Sequence, residues 1–450
     1  MDALTLAKIQ FFITIGFHFI FPPITIGIGW FMVYFMTKYI RTKDLFYKNL
    51  TWFWIKIFTV TVAMGIPTGI FMEFQFGTNW AEFSRFVGDI FATPLTLEIF
   101  FAFFLESVFL GVIIQGWKST KIPDKIIWLS TILVALGTTL SAFWILVANS
   151  WMHSPRGYGY SSDGEKLILS NIWEAVFNPT MLPRFWHTIN ACMIVGSFFV
   201  IGIGCIYLLK DRHSEYAKYS LRFALIVGVI ASILQVFFGH WQSTVVYLNQ
   251  PVKFAAQEGV FNTETGAPLI IFAILDETQL YFSLFIPGLL SILLGNPNTT
   301  VIGLNDIAIE NRPPVILTFY SFHLMVILGG IFILFTLFGV ILLWRKKLHN
   351  NSRLQKLFLR FGVVLMPLPI ITNEFGWITT EVGRQPWIVQ GVLRTADAVS
   401  VNVSAEEILF SVILFCLTFI LLFTIWLLAL TRIIKKGYPE LIKEGGEVKN

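Results

Sequence analysis

The sequence predicts an all-α integral membrane protein with about nine transmembrane helices, on the strength of three observations. The chain is 56% hydrophobic and only 13% charged, with a mean hydropathy of +0.72, a balance suited to a lipid bilayer. Nine apolar stretches are long enough to span it. Lys and Arg gather in alternate loops between them. The net charge of +5 therefore implies no nucleic-acid partner; what matters is where the basic residues lie.

In order, the stretches lie near 12–35, 52–73, 95–115, 126–148, 187–208, 220–240, 316–343, 357–380 and 408–431. With the N-terminus outside, the loops after spans 1, 3, 5 and 7 and the C-terminal tail hold 22 of the 32 Lys and Arg, including Lys38, Arg41, Lys121, Lys210, Arg345, Lys443 and Lys449. The positive-inside rule then puts the C-terminus in the cytoplasm, in keeping with an odd number of spans. The chain opens Met1-Asp2 without a basic n-region, so the first apolar segment reads as a retained helix. Residues 1–450 form a single domain. Within it the longest loop, 241–315, lies outside, and its polar and Gly/Pro-rich text encloses an apolar patch, Leu269 to Leu275. Loops of that size without regular structure are usually functional or disordered. Cys192, Cys205 and Cys416 fall in apolar segments with no CxxC or CxxCH spacing, and read as small core residues.

Polar groups at membrane depth are functional candidates by default. His18 lies about midway along the first span between Phe17 and Phe19, either satisfied by a neighbouring helix or free to ligate a metal. Glu98 and Glu106, eight apart in the third span, sit within roughly 80° of one another at 100° per residue. Two carboxyls on one broad apolar face can hold and pass protons, or pair with a cation across the bundle. Ser141 and Asn149 follow on the fourth span, His187 opens the fifth, and Met325 lies in the seventh. In the eighth, Trp377, Glu381 and Arg384 follow at spacings of four and three, so they share a face if the helix continues to Arg384, and Pro386 then ends it.

The stretch Gly376-Trp377-Ile378-Thr379-Thr380-Glu381-Val382-Gly383-Arg384-Gln385-Pro386-Trp387 resembles the GWxxxEVGRQPW signature of subunit I of the cytochrome bd-type quinol oxidases, the haem-bearing subunit of a bacterial terminal oxidase. The resemblance extends to the first-span histidine, the third-span carboxylates and the loop text from Gly77-Thr78-Asn79-Trp80 through Gly88-Asp89. It implies that His187 and Met325 are the axial ligands of a low-spin haem b. It further implies two high-spin haems, one of type b and the other haem d or a third haem b, around His18, Glu98 and Glu381, with either at either position. With no CxxCH, the haems are held non-covalently. Trp377 lies on the electron path, Arg384 pairs with propionates or with Glu381, and Ser141, Glu106, Glu98 and Asn149 lie along a proton path.

In the outer loop, Gln250-Pro251-Val252-Lys253-Phe254-Ala255-Ala256-Gln257-Glu258 resembles the quinol site of the short-loop type. Lys253 there anchors a quinol oxygen and Glu258 accepts its proton. The resemblance also implies a second membrane subunit, a small single-helix subunit, menaquinol or ubiquinol as donor, O2 as acceptor, and a place in the bacterial cell (inner) membrane. Two residues depart from the family pattern: Lys8 and His323 stand where arginines are usual, and both are placed to touch a haem propionate. Readings from other classes are a proton-coupled transporter, which needs inverted repeats and broken helices, neither of them evident in the sequence, and a haem b electron-transfer anchor, which uses bis-His pairs.

Overall fold

The computed structural model describes residues 1–119, 121–349 and 352–439; Lys443 and Lys449, counted above on the cytoplasmic side, lie outside the described residues. Among those residues, nine helical segments are long and apolar enough to cross a membrane, in the order expected. The first comprises α1 (Ala3–His18) and α2 (Phe21–Thr42), and the second is α3 (Leu45–Thr78). The third contains α4 (Ala81–Glu98), a π-helical turn (Ile99–Phe103) and α5 (Phe104–Lys118), and the fourth is α6 (Asp124–His153). A short α7 (Ile172–Val176) precedes α8 (Met181–Leu209) and α9 (Ser214–Asn249), the fifth and sixth. In the long loop after the sixth lie α10 (Pro251–Glu258) and α11 (Leu289–Leu293). The seventh is α12 (Val315–Trp344), the eighth α13 (Arg353–Leu365) with α14 (Leu368–Val382), and the ninth α15 (Ala405–Lys436).

Three spans are interrupted, contrary to the sequence reading, and each break has a local cause or consequence. Pro22 and Pro23 cannot donate to the carbonyls of His18 and Phe19, so α1 stops and His18 is its last residue instead of a mid-helix one. The third span starts at Ala81, so the text expected to be loop up to Asp89 is helical beyond Trp80. Its π-turn then adds one residue to the helical path between Glu98 and Glu106, which closes their offset from roughly 80° to roughly 20°. In the eighth span Pro367 separates α13 from α14. There α14 ends at Val382, before Arg384, with Gly383 as its cap.

This long loop is also more ordered than expected. Residues 241–249 extend α9, and the patch Leu269–Leu275 is a strand paired antiparallel with Leu280–Ile286. At that hairpin's turn, Glu277 accepts from the Val315 amide at 2.6 Å, which caps α12 and fixes the loop to the seventh span.

Packing centres on α8, where 78% of the most apolar window is buried against 11% for α15. Gly27 of α2 and Gly196 of α8 let these helices touch backbone to backbone: a Cβ on Gly27 would stand 2.6 Å from the Gly196 Cα. Small residues at such crossings are how membrane helices gain close packing without a hydrophobic drive. Cys192 and Cys205 are buried and none of the three cysteines forms a disulfide, as expected.

Candidate functional site

One cavity of about 740 Å³ runs between α1, α2, α3, α4, α5, α6, α8 and α14, within the range of roughly 300–1,000 Å³ typical of cofactor sites. His18, Glu98, Glu106, Ser141, Asn149, Trp377, Glu381 and Arg384 all line it. The fold thus gathers eight of the residues singled out in the sequence.

His18 is seated by α3. Its Nδ1 lies 3.0 Å from Thr68 Oγ1, whose own hydroxyl donates to the Gly65 carbonyl at 2.8 Å. With that hydrogen committed, Thr68 accepts from Nδ1–H, which leaves Nε2 with a lone pair that could ligate a metal. Gly69 makes room for the ring: a Cβ there would come within 3.3 Å of Cε1. Trp377 stands edge-on to Phe19 at 5.1 Å, beside the break. On the opposite wall Ser141 Oγ donates to Glu98 Oε1 at 2.7 Å. Neither Glu98 nor Glu106 forms an ion pair among the described residues, which argues against the cross-bundle salt bridge.

Glu381 has the opposite surroundings. Asn149 Nδ2 and His153 Nε2 lie 2.9 and 3.2 Å from its Oε1, and Arg384 NH2 lies 2.5 Å from its Oε2. Arg184 donates to the side-chain oxygen of Asn149, extending the cluster. Arg384 therefore meets Glu381 although it lies beyond the helix end, as the spacing suggested.

His187 and Met325 do not line the cavity. His187 Nε2 lies 3.2 Å from Gln235 Nε2, and Met325 Sδ lies against Gly376 of α14, 3.3 Å from where a Cβ would be. They stand on α8 and α12, beside α9 and α14, and no hydrogen bond joins them directly among the described residues.

In the loop, Lys253 and Glu258 are both buried on α10, five residues apart and so on different faces. No hydrogen bond or ion pair joins them among the described residues. Lys253 Nζ donates to the Thr380 carbonyl at 2.8 Å. Burial holds its amine well below the usual lysine range, Arg184 and Arg384 add to this, and Glu381 opposes it. Burial pushes the Glu258 carboxyl up to about 7, with a contrary contribution from Gln257. Burial likewise lowers the Arg384 guanidinium, against the pull of Glu381.

The two departures behave differently. Lys8 lines the cavity, where it can meet an acidic group. His323 does not: its ring nitrogens lie 2.9 Å from the Phe319 carbonyl and 3.0 Å from that of Ile270, and the ring stacks on Phe319 at 3.9 Å. Carbonyls only accept, so the neutral ring donates to one of the two, and either bond holds it to the backbone.

Four residues went unnoticed in the sequence. Glu73 and Glu374 line the cavity, and His153 and Arg184 surround Glu381. Spacing carried a signal for two of them, since His153 is four residues after Asn149 on α6 and Glu374 is seven before Glu381 on α14. The donor set fits haem. His187 Nδ1, Arg384 Nε and NH1, and Arg184 Nε and NH2 are buried without a partner among the described residues, as groups that face an anionic, metal-bearing ligand would be.

Comparison with known proteins agrees with this geometry. Residues 6–438 match the family described as cytochrome bd terminal oxidase subunit I. The chain is 38% identical to cytochrome bd ubiquinol oxidase subunit 1 of Bacillus subtilis (strain 168), over 97% of this chain and 94% of that protein. It is 32% identical to cytochrome bd-II ubiquinol oxidase subunit 1 of Escherichia coli (strain K12), over 97% and 96%. Among solved structures, the bd oxidase from Geobacillus thermodenitrificans matches with a TM-score of 0.88 at 30% identity, covering 97% of this chain and 99% of that one.

Proposed function

The chain belongs to the cytochrome bd terminal oxidase subunit I family, and from that premise we propose how its residues divide the work of a quinol oxidase. It is a multi-pass protein of the bacterial cytoplasmic membrane, an oxidoreductase with haem cofactors and a quinol substrate.

Quinol, either ubiquinol as in the named relatives or menaquinol, binds at the outer face against α10. Lys253 anchors one of its oxygens, and Glu258 takes the proton of a hydroxyl and releases it outside. With its carboxyl at about 7, Glu258 is divided between acid and base at neutral pH, the condition for efficient proton transfer. His187 and Met325 would hold a low-spin haem b. His18, Glu381 and Glu98 would hold two high-spin haems, one of them haem d or a third haem b.

Bound haem supplies one-electron transfer and, where an axial position is open, the reduction of O2. Arg384 balances the Glu381 charge and, with its remaining donors, faces propionates. Glu106, Ser141 and Glu98, with Asn149 further along, hold protons drawn from the cytoplasm. Charge then separates across the membrane without a pump. The gathering of basic residues in alternate loops supports an orientation with the N-terminus outside and the C-terminus in the cytoplasm. A second membrane subunit and a small single-helix subunit complete the oxidase.

The convergence of His18, Glu98, Glu381 and Arg384 on one cavity carries this reading. A dithionite-reduced minus air-oxidised spectrum of membranes holding this chain with its partner subunit tests it. A low-spin b band with a red-shifted chlorin band that moves on carbon monoxide supports a haem d enzyme, whereas high-spin b bands alone mean the all-b form. Absence of any haem band overturns the reading.

A further inference from the structure

His153, the last residue of α6, is fully buried, and each ring nitrogen has a partner. Nε2 lies 3.2 Å from Glu381 Oε1, and a carboxylate only accepts, so the ring donates there. Nδ1 lies 3.1 Å from the end of the side-chain amide of Gln250, the residue that precedes α10; a ring that donates through Nε2 accepts at Nδ1, so the amide is turned to donate there and its other end meets the Gln390 side chain at 3.1 Å. One turn earlier on α6, Asn149 donates to the same Glu381 oxygen at 2.9 Å. Oε1 thus serves two donors, whereas Oε2 serves only Arg384 NH2 at 2.5 Å and keeps one acceptor position. A second link runs beside this one, from Lys253 to the carbonyl of Thr380, the residue before Glu381.

We propose that His153 is a positioning residue: it aims the Glu381 carboxylate so that Oε2 is the ligating oxygen, and ties that carboxylate through Gln250 to the start of the quinol-loop helix. The proposal rests on the reading of Glu381 as an iron ligand. Partners of metal ligands fix orientation in this way, and their loss typically lowers affinity about 10–100-fold. The tie also makes α10 and the iron site mechanically continuous, so a disturbance at the loop reaches Glu381 through two side chains.

The test uses the assembled oxidase with its partner subunit, comparing Glu381→Leu, His153→Leu, His153→Gln and Gln250→Leu by haem content, low- and high-spin bands, and haem captured by added apomyoglobin. The expected result is loss of one high-spin haem in Glu381→Leu. In His153→Leu about a tenfold weaker retention of that haem is expected, with the low-spin band intact. His153→Gln, whose amide still donates, keeps the haem, and Gln250→Leu shifts the high-spin band without losing it. If Glu381→Leu keeps every haem, the ligand reading fails and the proposal with it. If Glu381→Leu loses the haem while His153→Leu matches the parent, the proposal alone is overturned. Should His153→Leu fail to assemble, the other pair decides: loss of haem in His153→Gln, or an unshifted band in Gln250→Leu, overturns it.

Discussion

The cavity and the long loop between the sixth and seventh spans are assembled over different distances along the chain. Cavity bonds join residues far apart in sequence: Asn149 reaches Glu381 across 232 positions, and Ser141 reaches Glu98 across 43. Loop bonds stay mostly inside the loop, as when the Ser291 side chain takes the Ala267 amide or Leu304 donates to the Val260 carbonyl. The difference teaches that the loop is a local module clamped to the bundle at a few points, whereas the cavity exists only once six spans have packed. A lesion at a ligand candidate of the cavity should therefore change cofactor binding, and one in the loop away from its clamps at Gln250 and Lys253 should change turnover alone.

His18→Ala makes the sharpest test. It should remove one high-spin haem signal completely and leave the low-spin signal; loss of the low-spin signal alone would break the division between the two haem seats. Next, Met325→Leu should convert the low-spin haem to high-spin, because only one axial ligand remains. An unchanged spectrum would exclude Met325.

Glu258→Gln belongs to the loop, and should slow quinol oxidation about 100-fold or more at neutral pH while every haem band stays in place. Its pH dependence follows from the carboxyl at about 7: below that value it is protonated and cannot accept, so the parent rate should rise through pH 7 and level off above it. The variant should lack that rise. If haem bands change as well, the loop is not the separate module inferred above. Gly27→Ala tests the packing that forms the cavity: its Cβ meets backbone, and overpacking of this kind costs about 1–3 kcal/mol, readable as a lower unfolding temperature in detergent. Smallest is Ser141→Ala, which removes one 2.7 Å bond to Glu98, worth about 0.5–1.5 kcal/mol, and should slow oxygen reduction roughly two- to tenfold with unchanged spectra.

The nine spans were legible because length and apolarity are properties of a segment by itself. Their interruptions were not all so. Pro22-Pro23 and Pro367 were present as signals, since proline withholds a donor from the carbonyl four residues back. The π-turn has no such mark: Ile99-Phe100-Phe101-Ala102-Phe103 reads like any other lipid-facing text. The GWxxxEVGRQPW stretch exposed one cavity wall and its Glu381–Arg384 pair. It could not show His153 or Arg184, whose meaning depends on α6 and α8 coming to rest beside α14. Similarly, nothing within Ser321-Phe322-His323 shows that the ring is held by a carbonyl of the loop strand.

The π-turn makes the third span unusually tolerant of one kind of change. Deleting a residue from an ordinary helix such as α6 rotates everything beyond it by roughly 100°. Deleting one residue between Ile99 and Phe103 would instead return the turn to α-helical form, with the flanking helices where they were. Most of the side chains available for removal, including Phe100 and Phe101, face outward. Glu98 and Glu106 would keep their common face, because their eight-residue spacing is a seven-residue spacing carrying one insertion.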